Sequence, residues 1–353
     1  MHMVSMADYI YAMLRILSRT TMSSTFLFTL LFVFTIVMLS VMRSDIKVMS
    51  DHSFDHPVFD DLVRSNYKLK SVLGTTWNVQ RFTDVFPQDT SCQRNIALLV
   101  LVTSAPDHFE RRASIRSTWA SRSNDDNASS WQVVFLLGKT NYQATQILLD
   151  NEMQRHNDML QGNFIDSYRN LTLKVQNGFS WAAKFCQPQY LLKTDDDCFV
   201  NVKLMSNFLL NHNTITSNLY AGNKMKSLEV VRRDDSKWRV SRDDYPHEEY
   251  PPYASGTGYL LSGDVVEKVV KAARHIKPFP VEDAYMGVIA EFLNLDLIDT
   301  GRFTLYNANW NTCNYRYLFV VHHILPEQQY VCQNNTIESV VKCADQKEIT
   351  RWD

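Results

Sequence analysis

Three consecutive carboxylates, Asp195, Asp196 and Asp197, stand between two apolar stretches, Tyr190–Leu192 and Cys198–Val200. Carboxylates this close repel one another unless a cation or hydrogen-bond donors compensate them. Along an extended chain, alternation puts Asp195 and Asp197 on one face and Asp196 on the other. Hard oxygen ligands of this kind suit Mn²⁺ or Mg²⁺, which favour a diphosphate as the remaining ligand. A solvated acidic turn is the competing reading. The apolar flanks argue against it, because a surface turn has no need of a core strand to carry it. If Tyr190–Thr194 is that strand, the acids sit at its carboxyl end, where open α/β sheets keep their ligands.

Other residues could join this chemistry. Glu282 and Asp283 enter an apolar helix, 284–292. Carboxylates there either favour the helix dipole or supply a general base on a rigid element. Adjacent helical residues point about 100° apart, so only one of the two can face a substrate hydroxyl. Arg112 and Arg116, four apart on one helical face, could hold a nucleotide or its phosphates, or simply be solvated. In 250–262, two prolines stiffen the entry, while Gly256 and Gly258 let backbone approach a ligand closely. Leu261 stands where a dinucleotide fingerprint needs its third glycine. The aromatics of this stretch, Tyr253 among them, either stack on a sugar ring or pack in a core. His322 and His323 follow an apolar strand, 317–321. Alternation puts their rings on opposite faces, so at most one is expected to join a metal beside Asp197.

These groups need a scaffold. Residues 95–103 and 131–138 are continuous apolar runs, the mark of central buried strands. Residues 110–119, 141–157, 171–186 and 202–211 have helical spacing, and 232–240 reads as an exposed hairpin or loop. Strand, helix, strand, helix, strand in sequence predicts an α/β fold with a mostly parallel sheet flanked by helices.

With 45% hydrophobic residues and 12% aromatics, 353 residues can bury a sizeable core, and a net charge of −2 gives no electrostatic case for nucleic-acid binding. The uncharged run Phe26–Met42 is long enough, with 20–25 leading in, to cross a bilayer as a helix. It is too long for an ordinary signal-peptide core and has no small-x-small cleavage site after it. The reading is therefore a tail (1–24), a transmembrane anchor (25–42), a stem (43–91) and a catalytic body (92–353). All six cysteines follow the anchor, as suits an oxidising lumen, and no CxxC pair points to zinc. Asn127, Asn170 and Asn334 each begin an N-glycosylation triplet. Cys198, apolar-flanked beside the acids, is expected to be a buried thiol.

In order, the stretches Arg111-Arg112-x-x-Ile115-Arg116-x-Thr118-Trp119, Phe135-Leu136-Leu137-Gly138, Asp166-Ser167-Tyr168-Arg169-Asn170-Leu171-Thr172-Leu173-Lys174, Lys193-Thr194-Asp195-Asp196-Asp197, Tyr253-Ala254-Ser255-Gly256-Thr257-Gly258-Tyr259 and Glu282-Asp283-x-Tyr285-Met286-Gly287 resemble the β1,3-galactosyltransferase/β1,3-N-acetylglucosaminyltransferase family. The resemblance covers roughly residues 93–330. It implies a GT-A-like nucleotide-sugar-binding fold in a type II Golgi membrane enzyme that uses a UDP-sugar and Mn²⁺. It places the metal and diphosphate at Asp195–Asp197, with Asp197 the direct ligand and His322 the late histidine. It leaves Lys193, Arg112 and Arg116 to the nucleotide-sugar. Asp283 falls on the family's base, and Tyr253, Gly256, Gly258 and Glu282 on the acceptor side. Cys198 and Ala284 stand where Val is usual, changes that bear on packing. The implied reaction is inverting transfer of galactose or N-acetylglucosamine from UDP to a 3-hydroxyl of a glycoprotein or glycolipid glycan. Two rivals differ in class. A noncatalytic chaperone or lectin-like relative would be expected to lose the metal or base carboxylates. A haloacid-dehalogenase-like phosphatase wants Thr or Val where Phe199 stands.

Overall fold

The computed structural model of the chain describes Cys92 and residues 96–121, 131–307, 311–346 and 349–352. The run Phe26–Met42, the stem and Asn127 lie outside these residues. Among the described residues no helix is long and apolar enough to cross a membrane.

The central strand β1 (Leu98–Thr103) is buried at all six positions. It lies between two parallel neighbours, β2 (Trp131–Lys139) and β4 (Tyr190–Asp195). A strand covered on both faces has no use for alternation, which is why its sequence is a continuous apolar run. Beyond β2 lies β3 (Met159–Ile165), also parallel. On the other side of β4 come β7 (Ala254–Ser262), β6 (Tyr220–Lys224) and β8 (Leu297–Asp299), giving the order β3-β2-β1-β4-β7-β6-β8. The sheet is mostly parallel, as expected, every strand but β7 running in one direction. The strand β7 runs antiparallel to both β4 and β6, so the sheet is mixed. The chain reaches β7 through the long segment 225–253 and not through a helical crossover, so nothing forces a parallel return.

Two layers cover the sheet. Helix α1 (Phe109–Ser117) follows β1, and α2 (Gln143–His156) follows β2. Helix α3 (Leu171–Trp181) continues as a π turn over Ala182–Cys186 and leads into β4. It lies so close to the sheet that a Cβ on Gly178 would come within 2.5 Å of Leu136 Cδ1. Helices α5 (Gly263–Ala272) and α6 (Glu282–Phe292) pack beside α3. On the opposite face, Leu98, Val100 and Val102 join a core built with a three-stranded sheet, β5 (Cys198–Val200), β10 (Val320–His322) and β9 (Phe303–Thr304). Helices α4 (Val202–Asn211) and α7 (Pro326–Lys342) contribute to that core. Asn201 caps α4 by accepting from the Leu204 N–H.

Disulfides join Cys92 to Cys186 and Cys313 to Cys343, while Cys198 and Cys332 are buried thiols. The C-terminal residues are held down by Arg302, which donates to the Ile349 and Arg351 carbonyls, and by Trp352, whose ring meets Phe208 edge-on at 4.9 Å.

Candidate active site

The acid triplet is the turn between β4 and β5, and each carboxylate goes a different way. Asp195 accepts from Thr103 Oγ1 and from Lys193 Nζ, the latter at 2.8 Å. Asp196 turns toward α1, where Ser104 Oγ donates to it at 2.7 Å and His108 Nδ1 lies at 2.7 Å. Its hydrogen bond raises the His108 imidazole above the usual range despite the burial that opposes it. Asp197 faces the cleft. One oxygen is 3.5 Å from His322 Nε2 and 3.9 Å from the Arg111 guanidinium. Burial alone would push Asp197 up, but His322 and Arg111 outweigh it and hold the carboxyl below its ordinary range.

The two histidines require a correction. Strand alternation stops at His322, because His323 adopts a left-handed backbone, φ 61°. That turn brings both rings to one side, with centroids 3.8 Å apart. Asp197, His322 and His323 therefore offer three ligand atoms within 4.8 Å of one another. His322 Nδ1 donates to the Leu305 carbonyl at 2.8 Å, which leaves Nε2 toward Asp197. Fixing a tautomer through the far nitrogen is the usual arrangement of a metal-ligating histidine, so these residues fit a divalent cation.

Across a cleft of about 700 Å³ lies the second acid group. Asp283 opens α6, and its two oxygens accept from the backbone N–H groups of Gly256 and Ala284, each at 2.9 Å. Burial raises its carboxyl above the ordinary range, with those N–H groups and Lys193 only partly offsetting it. Glu282 points away, into the protein. It is 2% exposed, accepts from Tyr259 Oη at 2.6 Å, and lies 3.4 Å from Lys193 Nζ. Burial pushes it up to about 7.

Lys193 sits beneath this floor with no exposed surface. Its ammonium donates to Asp195 and, at 2.6 Å, to the Gly256 carbonyl, and it faces Glu282. Burial would lower its pKa, but the charges of Asp195 and Glu282 override this and hold it above the usual range. Lys193 thus ties the acid triplet to Gly256 of β7, whose N–H holds Asp283. Fully buried, bonded to Asp195 and Gly256 and paired with Glu282, it is not a free cation for a nucleotide-sugar.

The arginines are placed differently from the expectation. Arg112 is fully buried. Its guanidinium donates to Glu152 and Ser104 and to the Ala105 and Pro106 carbonyls. Arg116 pairs with Glu152 and Asp158. Both are held by α2 and the β3 entry, because i and i+4 on α1 face inward. The arginine that reaches the acid triplet is the preceding one, Arg111. A doubled Arg111-Arg112 in the sequence carried no signal as to which faced the site.

Among the remaining expected residues, Tyr253 and Gly256 line the cleft. Gly258 does not. A Cβ there would lie 3.3 Å from Phe303 and Val320, so its smallness admits the second sheet and not a sugar. Tyr259 is a core residue, and Tyr250, which also borders the cleft, is buried and stacks on Phe279 at 5.6 Å. The aromatics exposed at the cleft rim are Tyr168, Trp238 and Tyr306, with Lys237 Nζ 4.7 Å from the Trp238 ring and 5.5 Å from Tyr168. Asn170 donates its amide to the Ile165 carbonyl, and Asn334 lies exposed on α7.

The family description "Galactosyltransferase" matches residues 110–300, more than half the chain, spanning both acid groups. The chain belongs to the galactosyltransferase family. Among its members, β-1,3-galactosyltransferase 1 of Mus musculus is 31% identical over 299 residues, covering 84% of this chain and 90% of that one. β-1,3-Galactosyltransferase 5 of Pan paniscus is 35% identical over 243 residues, 67% of this galactosyltransferase-family chain and 80% of the relative. Among solved structures, the galactosyltransferase LgtC with donor and acceptor sugar analogues aligns at 9% identity with a TM-score of 0.35. That alignment covers 69% of this chain and 95% of that one. The His322–His323 pair lies beyond the family-matched segment of this galactosyltransferase-family member.

Proposed function

We propose that this chain is an inverting, UDP-sugar-dependent hexosyltransferase of GT-A type that moves galactose or N-acetylglucosamine onto the 3-hydroxyl of a glycoprotein or glycolipid glycan, forming a β1,3 linkage. One observation carries the reading. A single cleft holds a carboxylate kept ionised beside two imidazoles and, across from it, a carboxylate made more basic by burial. Environments that push two acids apart assign them different tasks.

Asp197, His322 and His323 would hold a divalent cation, and two imidazole nitrogens favour Mn²⁺ over the oxygen-seeking Mg²⁺. When bound, that ion supplies positive charge to the departing UDP diphosphate. Arg111 adds a cation on the same side. Asp283 receives the acceptor's hydroxyl proton as that oxygen bonds to the anomeric carbon and the bond to UDP breaks. Gly256 and Ala284 fix the carboxylate's orientation and leave it lone pairs for the proton. Glu282, bound to Tyr259 and facing Lys193, holds the helix entry from below. Inversion in one displacement needs no enzyme nucleophile. The rim aromatics Tyr168, Trp238 and Tyr306 suit the apolar faces of acceptor sugars.

We place the body, 92–353, in the Golgi lumen behind a single-pass type II anchor. Two disulfides suit that oxidising side. Retention of both acid groups favours catalysis over a binding-only relative. The test is UDP release from a panel of UDP-sugars with an acceptor glycan, with and without Mn²⁺. Metal-dependent release from UDP-galactose or UDP-N-acetylglucosamine is expected, and no release from any donor would sink the reading.

A further inference from the structure

Helix α7 is inside out. Its buried residues are Gln329, Cys332 and Ser339, each at most 4% exposed. Its exposed side carries Tyr330, Val331, Ile337 and Val341, at 52%, 59%, 62% and 80% exposure. A surface helix ordinarily presents the reverse, an apolar stripe to the core and polar groups to water.

The rotation of the helix is fixed by directional bonds. Gln329 donates to the Cys198 carbonyl at 3.1 Å and accepts from Trp119 Nε1 at 3.2 Å. Tyr315 Oη lies 3.2 Å from Cys332 Sγ. The C-terminal end is held by the Cys313–Cys343 disulfide and by Arg316, which donates to the Cys343 carbonyl at 2.7 Å. Turning the apolar side inward would strand these buried polar groups. Besides being exposed, the strip runs into a groove of about 690 Å³ that Ile337 and Val341 share with Trp119 and Phe199.

At the centre of the strip stands Asn334, the acceptor of the triplet Asn334-Asn335-Thr336. At about 100° per residue, Tyr330, Val331, Ile337 and Val341 all fall within roughly 60° of it around the helix. Its amide donates to Glu338 Oε1 at 2.7 Å, a bond that a singly substituted amide, still bearing one N–H, can keep.

We propose that Asn334 carries an N-linked glycan whose proximal sugars cover this apolar strip, so that carbohydrate serves as the outer layer of α7. The proposal rests on the lumenal placement above. In the transfer, the Asn334 side-chain nitrogen bonds to the anomeric carbon of a polyprenyl-diphosphate-linked oligosaccharide. The diphosphate leaves with the electrons of the broken C–O bond, and the amide loses one proton. The product presents sugar C–H faces to Tyr330, Val331, Ile337 and Val341 and hydroxyls to water. A protein partner on the same strip would have to share the space with that chain.

The test uses the full-length chain expressed in animal cells and extracted in mild detergent. Glycopeptide mass spectrometry reads occupancy at Asn127, Asn170 and Asn334, and gradient sedimentation reads association. Asn334 is expected to be occupied. Asn334→Gln and Thr336→Ala should both sediment faster than wild type. Adding Ile337→Lys and Val341→Lys to Asn334→Gln should restore wild-type sedimentation. Neither site touches the cleft, so UDP-sugar turnover per correctly sized molecule should be unchanged. An unmodified Asn334 beside glycans at the other triplets would overturn the proposal, as would wild-type sedimentation of both single variants. No glycan at any triplet would instead refute the lumenal placement, and the proposal with it.

Discussion

Asp197 and Asp283 are the same side chain in the same cleft, and the protein gives them opposite characters. Asp197 keeps company with two imidazoles and a guanidinium, which favour its charge against the burial that opposes it. Asp283 meets only two backbone N–H groups and the more distant Lys193, too little to offset burial, so it binds a proton more readily. The character of a carboxylate is thus set by what faces it, and one residue type can serve both of the proposed roles. Lys193, bonded to Asp195 and to Gly256 of β7, whose N–H holds Asp283, keeps the two halves in register.

The contrast can be broken most severely at Asp283. Asp283→Asn keeps only one of the two backbone hydrogen bonds, sets its NH2 against the other N–H, and cannot take the proton, so turnover should fall roughly 10²–10⁴-fold. UDP-sugar affinity should stay near wild type, and kcat together with calorimetric donor binding checks the split. Lys193→Met comes next. Removing one partner of a buried charged cluster leaves Asp195 and Glu282 uncompensated and should cost about 3–5 kcal/mol of stability, read by denaturant unfolding. Asp197→Ala should leave a folded protein whose Mn²⁺-dependent UDP binding weakens by at least about 10–100-fold, the range seen even for lost outer-shell partners. Titration of UDP with and without Mn²⁺ measures it, and unchanged affinity would remove Asp197 from the cation site.

The smallest effect concerns Glu282, which sharpens the comparison by showing burial acting without catalysis. Its folded pKa of about 7 exceeds its unfolded value, so between those values the unfolded chain has released a proton that the folded one retains. Its contribution to stability is therefore complete below the unfolded pKa and is lost as pH rises toward about 7. Relative to Glu282→Gln, wild type should lose stability from pH 5 to pH 8 in thermal melts. Turnover of Glu282→Gln should drop less than that of Asp283→Asn.

Much of this was legible in the residues. The strands β1 and β2 declared themselves as continuous apolar runs and β4 through its apolar start, and the acids fell at the end of β4 as anticipated. The opposition of Asp195 and Asp197 to Asp196 followed from alternation, and the structure keeps it. Other features depended on backbone choices that no pattern records. The left-handed turn at His323 overrode alternation and delivered a second imidazole. Whether Arg111 or Arg112 faced the site depended on how α1 packs against α2, a tertiary matter. The strand β3 hid in Met159–Ile165, where only part of one face is buried, and β6 and β8 were likewise too short to show a period. The antiparallel entry of β7 left no mark in its own sequence, because a central strand is apolar in either direction.

The Cys92–Cys186 disulfide has a mechanical consequence. Cys186 closes the π turn that leads to β4, four residues before the strand on which the acid turn is carried. Any pull arriving along the chain from before residue 92 is divided at that sulfur between the approach to β1 and the end of the helix preceding β4. These two strands are parallel neighbours joined residue by residue, so a load entering both at their N-terminal ends draws them the same way. Such a pull would spare the pairing that sets Thr103 against Asp195, where a lone attachment at β1 would load it directly.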